Sequence, residues 1–350
     1  MTSAIEPVLL RADNFTPPSR TPWGGRRLAR DYKQHWLHGA RDLVVGESWE
    51  VSVEPDFPAR LEDGSLLTEF IGHDPAAVLG EEHRRGRVGT ALLVKLIDTA
   101  EPLSVQIHPS DDYAGLATGE CGKPESWYVV AREPGAGLYL GFEPGTSEAD
   151  VRAALERGQG ALRELLRFVP VEPGDFFVID AGTPHAIGEG LTLVEPQHVM
   201  PGLRGVTYRY WDWDRRYDAQ GRAAPDGSLR PLHVDHALAV TAWQRVQEPA
   251  FVGEIRRQAG PAEVHGKASL TPLAGDGGLN SQWLRVGRLA GTGVLNLPAS
   301  ERLLGITVLE GKVRLGSTTA ERGRSMVVPA CLGDALVELS QAHAIVSSVE

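Results

Sequence analysis

Glycine and proline interrupt this chain at short intervals along most of its length. Among its 350 residues are 40 glycines and 24 prolines, and they separate many short apolar runs. Short apolar runs bounded by turn-forming residues are typical of β-strands. The sequence therefore predicts a mainly β protein, whose first 200 residues include strands at Ser48–Val53, Leu92–Asp98, Leu103–Ile107, Glu125–Ala131, Gly137–Phe142, Asp175–Ile179 and Leu191–Glu195.

One segment between these strands has the pattern of a helix instead. Ser147 can cap it, Glu148 and Asp150 suit the positive end of the helix dipole, and apolar residues recur at helical spacing. Glycines end this helix and a second short helix follows, so we expect a helical insertion over about residues 147–168. Two further helical stretches are predicted, at Pro75–Leu79 and Val234–Trp243.

The character of the chain changes after about residue 245. Residues 266–280 are rich in glycine, alanine and small polar side chains, which predicts a long loop. Strand-like runs follow it, and Gly311 within Leu309–Val313 predicts a hairpin between two of them. This half carries no cluster of metal-type ligands, so we expect two units: a metal-binding domain over residues 1–245 and a metal-free β-barrel over residues 246–350. The runs are Leu284–Leu289, Leu303–Leu309, Lys312–Leu315, Ser325–Val328 and Ala335–Leu339.

Charge and composition exclude several classes of function. The net charge of −11 argues against nucleic-acid binding, although a local basic pocket can still hold a small anion. No apolar run approaches the roughly 20 residues that span a bilayer. The first residues lack a basic stretch followed by an apolar one, so we expect no secretory signal. The two cysteines, Cys121 and Cys331, lie far apart, which fits a reducing cytoplasm.

Four residues of metal-binding types occur in three short stretches. Gln106 and His108 are two positions apart, so on an extended strand both side chains leave the same face. Glu125 adds a carboxylate in a second stretch, and His185 adds an imidazole in a third. Two imidazoles, a carboxylate and an amide oxygen can hold a divalent cation such as zinc and leave room for a substrate. Each residue alone also has a structural explanation; Glu125, for example, could pair with Lys123.

Six motifs, in the same order along the chain, resemble the type I mannose-6-phosphate isomerases. The resemblance extends from Trp23–Gly25 to about Trp243 and continues more weakly to the end. It implies tandem cupin (jelly-roll) β-barrels, one zinc ion per chain, and interconversion of mannose 6-phosphate and fructose 6-phosphate by a monomer or weak homo-oligomer. The motifs are Gly46–Glu50, Leu103–Pro109, Gly122–Tyr128, Gly182–Ile187, Thr207–Arg209 with Asp212–Arg215, and Pro231–His233.

The same resemblance implies roles for particular residues. Arg209 occupies the position of the family's active-site arginine, and Lys123 matches a lysine of the same cleft, so both are catalytic candidates. Arg209 could instead pair with a nearby aspartate, Asp212 or Asp214. The general base is open between Lys123 and a zinc-bound hydroxide. The implied zinc ligands are Gln106, His108, Glu125 and His185.

Candidates for contact with the substrate are less specific. A phosphate requires arginine, lysine or backbone donors. Arg204 and Arg215 lie in suitable stretches, as do Lys123 and Arg209, and the sequence does not choose between them. Glu195 shares a strand face with Leu191 and Leu193, where a carboxylate can orient a metal ligand or Arg209, or contact the substrate. It could instead simply pair with a basic neighbour.

The chain departs from the family pattern between Gln197 and Val206. This segment is longer than usual and lacks the Ser-Asp pair that the family carries shortly before its Tyr-Arg. Because the segment would border the substrate, isomerisation of a related aldose or sugar phosphate is one alternative. A non-catalytic sugar-binding cupin is another. An iron-dependent oxygenase is a third, against which the glutamine ligand argues.

Overall fold

A computed structural model describes residues 5–37, 42–158, 160–275, 283–298 and 301–350. In these ranges the chain is mainly β, as predicted. The strands of the first part, β1 to β15, are Val8–Leu9, Glu47–Val51, Leu92–Asp98, Val105–Ile107, Glu120–Cys121, Glu125–Arg132, Gly137–Phe142, Leu166–Pro170, Phe176–Ile179, His185–Ile187, Leu191–His198, Arg204–Gly205, Tyr208–Trp211, Arg216–Tyr217 and Ser228–Leu229. Strands β16 to β23 are Arg256–Arg257, Glu263–His265, Lys267–Ala274, Leu284–Leu297, Leu304–Leu315, Thr318–Glu321, Ser325–Val328 and Ala335–Val349.

The helices are short and lie mostly in the first 255 residues. Ser147 caps the helix Glu148–Arg157 reciprocally with Asp150, as the sequence predicts. The predicted helix Val234–Trp243 is two helices, because the chain turns extended at Thr241. Helices α1 to α7 are Leu67–His73, Pro75–Leu79, Glu81–Arg84, Glu148–Arg157, Val234–Val240, Trp243–Val246 and Phe251–Ile255, with a π-helical turn at Leu28–Tyr32 and 3₁₀ turns at Ala161–Leu165 and Ala330–Leu332. No helix in the described ranges is long and apolar enough to cross a bilayer.

Two antiparallel sheets form a sandwich in the first part of the chain. One has the strand order β16-β9-β6-β11-β3-β2 and the other β13-β4-β10-β7-β8. Trp127 and Leu193 of the six-stranded sheet share a buried core with Leu140 and Ala186 of the five-stranded sheet. This is the two-sheet arrangement of a jelly roll.

A third sheet covers the outer face of the six-stranded sheet. Its order is β1-β22-β20-β23-β19-β18-β17, with β21 beside β20. Tyr128 and Val194, whose neighbours in sequence point into the sandwich, pack in a second core with Ile345 of β23. The six-stranded sheet is thus buried on both faces. Strand β1 joins this third sheet from the other end of the chain, and the division into units at residue 245 stays a prediction.

Two predictions for the last hundred residues are wrong. Leu309–Val313 is not a hairpin: β20 runs through Gly311 and pairs with β23 on both sides of it, with irregular register around Glu310. The residues 267–274, expected in a loop, form β18 and pair with β17 and β19. Backbone hydrogen bonds to a strand on each side hold these residues in a sheet, although their small side chains do not indicate a strand. The rest of that expected loop, 276–280, lies outside the described residues.

Candidate metal centre

The predicted ligands meet between the two sheets of the sandwich. Gln106 and His185 are direct cross-strand partners in the five-stranded sheet. His108 follows β4 by one residue, and Glu125 begins β6 in the six-stranded sheet. The Gln106–His108 spacing therefore places both side chains on the face that looks toward Glu125.

The distances within this cluster suit a single small cation. Nε2 of His108 lies 3.3 Å from Oε2 of Glu125, and Nε2 of His185 lies 3.3 Å from Oε1 of the same carboxylate. The three donor atoms are all within 4.8 Å of one another. All three side chains are buried. The carboxylate thus bridges the two imidazoles around a common centre.

Each imidazole is held by its other nitrogen. Nδ1–H of His108 donates to the carbonyl of Val206 (2.9 Å), and Nδ1–H of His185 donates to that of Thr183 (2.8 Å). A carbonyl accepts only, so both protons lie on Nδ1. Both Nε2 lone pairs are therefore free to bind a metal.

Unsatisfied atoms in the cluster fit a metal ion. Within the described residues, Nε2 of His108 and Oε1 of Glu125 are buried without a hydrogen-bond partner. Burial and the nearby Lys123 lower the pKa of His108 to about 3, which favours the neutral, metal-binding form. Burial opposes ionisation of Glu125, but its contacts with His108 and the charge of Lys123 hold its pKa low. A divalent cation would satisfy both unpaired atoms.

Gln106 lies beside this group of three. Its Nε2 is 3.4 Å from Nε2 of His185, and its Oε1 accepts a hydrogen bond from Ser104 (3.2 Å). The oxygen and nitrogen of an amide have nearly the same shape, so rotating the side-chain amide of Gln106 by about 180° places its oxygen next to His185, on the side of the metal ligands. Gln106 is therefore placed to act as the fourth ligand.

Two neighbours of the ligands were not anticipated from the sequence. Gln197, the cross-strand partner of Glu125, donates from Nε2 to Oε2 of Glu125 (2.5 Å). Trp127 presents its edge to the His185 ring, with ring centroids 5.3 Å apart, and donates from Nε1 to Oε1 of Glu195 (2.9 Å). Glu195 thus reaches His185 through Trp127. The two-residue spacing of Glu195 and Gln197 on one strand was the available signal.

A cavity of about 450 Å³ opens beside Gln106. Six of the described residues that line it carry a positive charge, against four carboxylates. A basic pocket thus exists in a chain of net charge −11, and an anionic ligand suits it. The cations are Arg20, Lys95, Lys123, Arg204, Arg209 and Arg230; the carboxylates are Glu47, Asp56, Glu120 and Glu195.

Both catalytic candidates line the cavity. Nζ of Lys123 lies 3.9 Å from Oε2 of Glu125 and is nearly buried. Arg209 donates from Nη1 to the carbonyl of Pro231 (2.8 Å), and burial, then the charge of Arg230, lowers its pKa to about 10. Asp212, the alternative partner of Arg209, pairs with Arg215 instead (2.6 Å).

The other substrate candidates are placed differently from one another. Glu195 lies in the cavity wall, 3.4 Å from Nζ of Lys95, and burial, then the charge of Glu125, raises its pKa to about 7. Arg204 lies at the rim in an ion pair with Glu120. Arg215 is not brought to the cavity lining, because it pairs with Asp212 and with Glu101 (3.1 Å).

The segment that departs from the family pattern borders both the ligands and the cavity. It forms β12, which pairs in parallel with β5. A Cβ added at Gly205 would lie 2.9 Å from Cδ of Lys123, so the absence of a side chain makes room for the lysine. Val206 supplies the carbonyl that fixes His108.

The chain is similar to proteins of known family. Residues 19–125 match the family model described as phosphomannose isomerase type I, catalytic domain. The mannose-6-phosphate isomerase ManA of Bacillus subtilis is 33% identical over 335 residues, covering 93% of this chain and 94% of that protein. The mannose-6-phosphate isomerase of Streptococcus mutans is 34% identical over 62% of this chain and 63% of its own length.

Solved structures share the fold. The mannose 6-phosphate isomerase of Bacillus subtilis superposes with a TM-score of 0.77 at 24% identity, covering 98% of this chain and 99% of that one. The enzyme from Salmonella typhimurium, solved bound to its substrate fructose 6-phosphate and to zinc, gives a TM-score of 0.67 at 15% identity over 99% and 100% of the two chains. With near full-length similarity to ManA and the matching family model, the chain belongs to the type I mannose-6-phosphate isomerase family.

Proposed function

We propose that this protein is a zinc-dependent aldose–ketose isomerase that interconverts mannose 6-phosphate and fructose 6-phosphate. The observation that carries the proposal is the cluster of His108, Glu125 and His185, whose unpartnered atoms converge next to a cavity rich in cations. Zinc fits two imidazoles, one carboxylate and an amide oxygen. Relatives named as mannose-6-phosphate isomerases, and a neighbour solved with zinc and fructose 6-phosphate, support the choice of metal and substrate.

The residues of the cavity suit the chemistry of this reaction. Isomerisation moves a proton between C1 and C2 of the open-chain sugar through an enediol(ate). A bound zinc ion supplies Lewis-acid stabilisation of negative charge on the sugar oxygens. Arg209, a cation without a carboxylate partner among the described ion pairs, adds positive charge beside Gln106, its cross-strand neighbour. Lys123 places its amine in the cavity next to Glu125 and is our candidate to carry the proton.

Glu195 and Lys95 form a polar pair in the cavity wall that completes this proposal. Lys95 lies between Glu195 and Glu47, with Nζ 3.4 and 3.8 Å from their carboxylates. The pair keeps Trp127 in place through Glu195 and presents polar groups to the sugar hydroxyls. A cytoplasmic location and a monomeric or weakly associated state remain predictions from the sequence.

A coupled assay tests the proposed reaction. Fructose 6-phosphate formed from mannose 6-phosphate is measured on purified protein, after chelation, and after zinc is added back. We expect chelation to abolish turnover and zinc to restore it. Folded, zinc-loaded protein that leaves mannose 6-phosphate unchanged would overturn the proposal.

The same preparations separate the alternatives. A related aldose would appear as turnover of another sugar, phosphorylated or free, with the same dependence on zinc. Oxygen consumption by iron-loaded protein would indicate an oxygenase instead. Binding of a sugar phosphate without turnover of any aldose would indicate a sugar-binding protein.

A further inference from the structure

Arg20 differs from most cations of the cavity wall in its surroundings. Its guanidinium carbon lies 4.4 Å from the ring centroid of Phe57 and 5.1 Å from that of Trp49. The side chain is exposed to solvent at the cavity. Among the ion pairs of the described residues, none involves Arg20. An aromatic surface thus holds this cation in place, and no carboxylate contacts it among the described ion pairs.

The other cations of the wall are mostly committed to carboxylates. Arg209 also lacks a carboxylate partner among the described ion pairs, but its Nη1 donates a hydrogen bond to the carbonyl of Pro231. It lies beside the candidate metal ligand Gln106, its cross-strand neighbour. A cation at that position suits the sugar oxygens on C1 and C2, where the reaction takes place. The paired cations are Lys95 with Glu195 and Glu47, Lys123 with Glu125, Arg204 with Glu120, and Arg230, 3.7 Å from Asp212.

The chemistry of the substrate sets where its phosphate must lie. The reacting atoms are C1 and C2, which the metal ligands must face, whereas the phosphate is carried on C6 at the other end of the chain. A phosphate dianion is strongly hydrated, so it loses least at a solvent-exposed part of the cavity. Arginine's planar fork matches two phosphate oxygens at once. The phosphate therefore needs an exposed arginine that has no ion-pair partner and lies away from the metal ligands.

We propose that Arg20, seated on Trp49 and Phe57, binds the phosphate of the substrate. The inference rests on the proposed function for its choice of ligand. These two rings form the aromatic seat of Arg20, and Trp49 is fixed in place. Trp49 is buried and donates from Nε1 to Oε2 of Glu47 (2.8 Å). Arg20 then selects phosphorylated over free sugars.

Binding of an unreactive analogue tests the role of Arg20 separately from turnover. Glucitol 6-phosphate is titrated into the zinc-loaded protein by calorimetry. For Arg20→Gln we expect the dissociation constant to rise by about 10- to 100-fold, the range for a hydrogen bond to a charged group. Arg11→Gln is the matched control, because Arg11 carries the same charge but pairs with Asp13 outside this cavity. It should bind like the unaltered protein.

A second variant examines the aromatic seat. Phe57→Leu keeps the guanidinium but removes one ring, and we expect a smaller loss, about 2- to 5-fold. In steady-state kinetics with mannose 6-phosphate, Arg20→Gln should raise KM far more than it lowers kcat. A structural role alone would lower the midpoint of thermal unfolding or the zinc content, and both should stay unchanged.

The outcomes separate this inference from the proposed function. Tight binding of the analogue that Arg20→Gln weakens supports the role of Arg20 even if no isomerisation is seen. Turnover of mannose 6-phosphate, with Arg20→Gln binding the analogue within twofold of the unaltered protein, leaves the isomerase standing and overturns the inference. Failure of the unaltered protein to bind the analogue also overturns it.

Discussion

His108 donates from Nδ1 to the carbonyl of Val206 across 2.9 Å, which ties a candidate zinc ligand to the segment that departs from the family pattern. The altered segment thus helps to support the candidate metal centre. Its β12 strand pairs with β5, just before the Lys123–Glu125 stretch. Changes in this segment should therefore act on the metal and on Lys123 together.

Gly205→Ala should disturb Lys123 directly. The added Cβ would lie 2.9 Å from Cδ of Lys123 and 3.2 Å from Cγ, so the flexible lysine must move. If Lys123 carries the proton, we expect kcat to fall by up to about 100-fold, the cost of misplacing a reacting group by about 1 Å, with little change in thermal stability. Gly253→Ala is the control, since its Cβ would meet nothing within 4 Å. Equal kcat values for the two variants would contradict the role of Lys123.

Gln197→Met should weaken zinc binding while keeping the shape of the core. The amide of Gln197 donates to Oε2 of Glu125 at 2.5 Å, and methionine fills a similar volume without a donor. Partners that orient metal ligands typically contribute about 10- to 100-fold in affinity. Zinc content after dialysis against graded chelator measures the change. An unaltered zinc affinity would show that Glu125 needs no such partner.

The sequence predicts best what local patterns determine. Strands Leu92–Asp98 and Gly137–Phe142 have the predicted ends, and α4 follows its capping residues. Short apolar runs, the turn residues that bound them and helix caps are all read from neighbouring residues. The structure also brings Gln106, His108, Glu125 and His185 together, as the order of motifs suggests.

What the sequence misses depends on contacts between distant segments. Nothing near His108 in sequence indicates that Val206 fixes it, and nothing near Glu125 indicates Gln197, 72 positions away. Gly311 looks like a turn because glycine usually interrupts strands. Pairing of β20 with the long strand β23 overrides that local preference.

Lys33→Met should destabilise the join between the first two sheets and the third. Nζ of Lys33 lies 2.5 Å from Oε1 of Glu50, both side chains are fully buried, and Oε2 of Glu50 accepts from Ser325 of β22 (2.8 Å). Removing the lysine leaves a buried carboxylate uncompensated, at a cost of about 3–5 kcal/mol in the free energy of unfolding. Urea denaturation measures it.

The double variant Lys33→Met, Glu50→Leu is the informative comparison for this pair. Replacing both charges with apolar groups removes the uncompensated carboxylate, so most of the stability should return. A double variant as unstable as the single one would show that the pair is needed for its hydrogen bonds rather than for mutual neutralisation.

His198 should make the protein sensitive to acid. Its ring is buried, packs 5.1 Å from the Trp283 ring, and has Arg87 within 3.4 Å of Nε2. Burial, then the charge of Arg87, lowers its pKa to about 4, and the more distant Asp111 opposes this only in part. The ring thus stays neutral in the folded state down to about pH 4, whereas in the unfolded chain it takes a proton below about pH 6.5.

Stability is therefore lost as the pH falls from about 6.5 towards 4, because the unfolded state binds the additional proton. The loss due to His198 should reach about 2 kcal/mol at pH 5. His198→Phe keeps a ring against Trp283 and removes the titration, so its unfolding free energy should fall less steeply over this range. Urea unfolding of both proteins, with a chelator present throughout, cancels the contribution of zinc release. Parallel pH profiles would mean that His198 titrates alike in the folded and unfolded states.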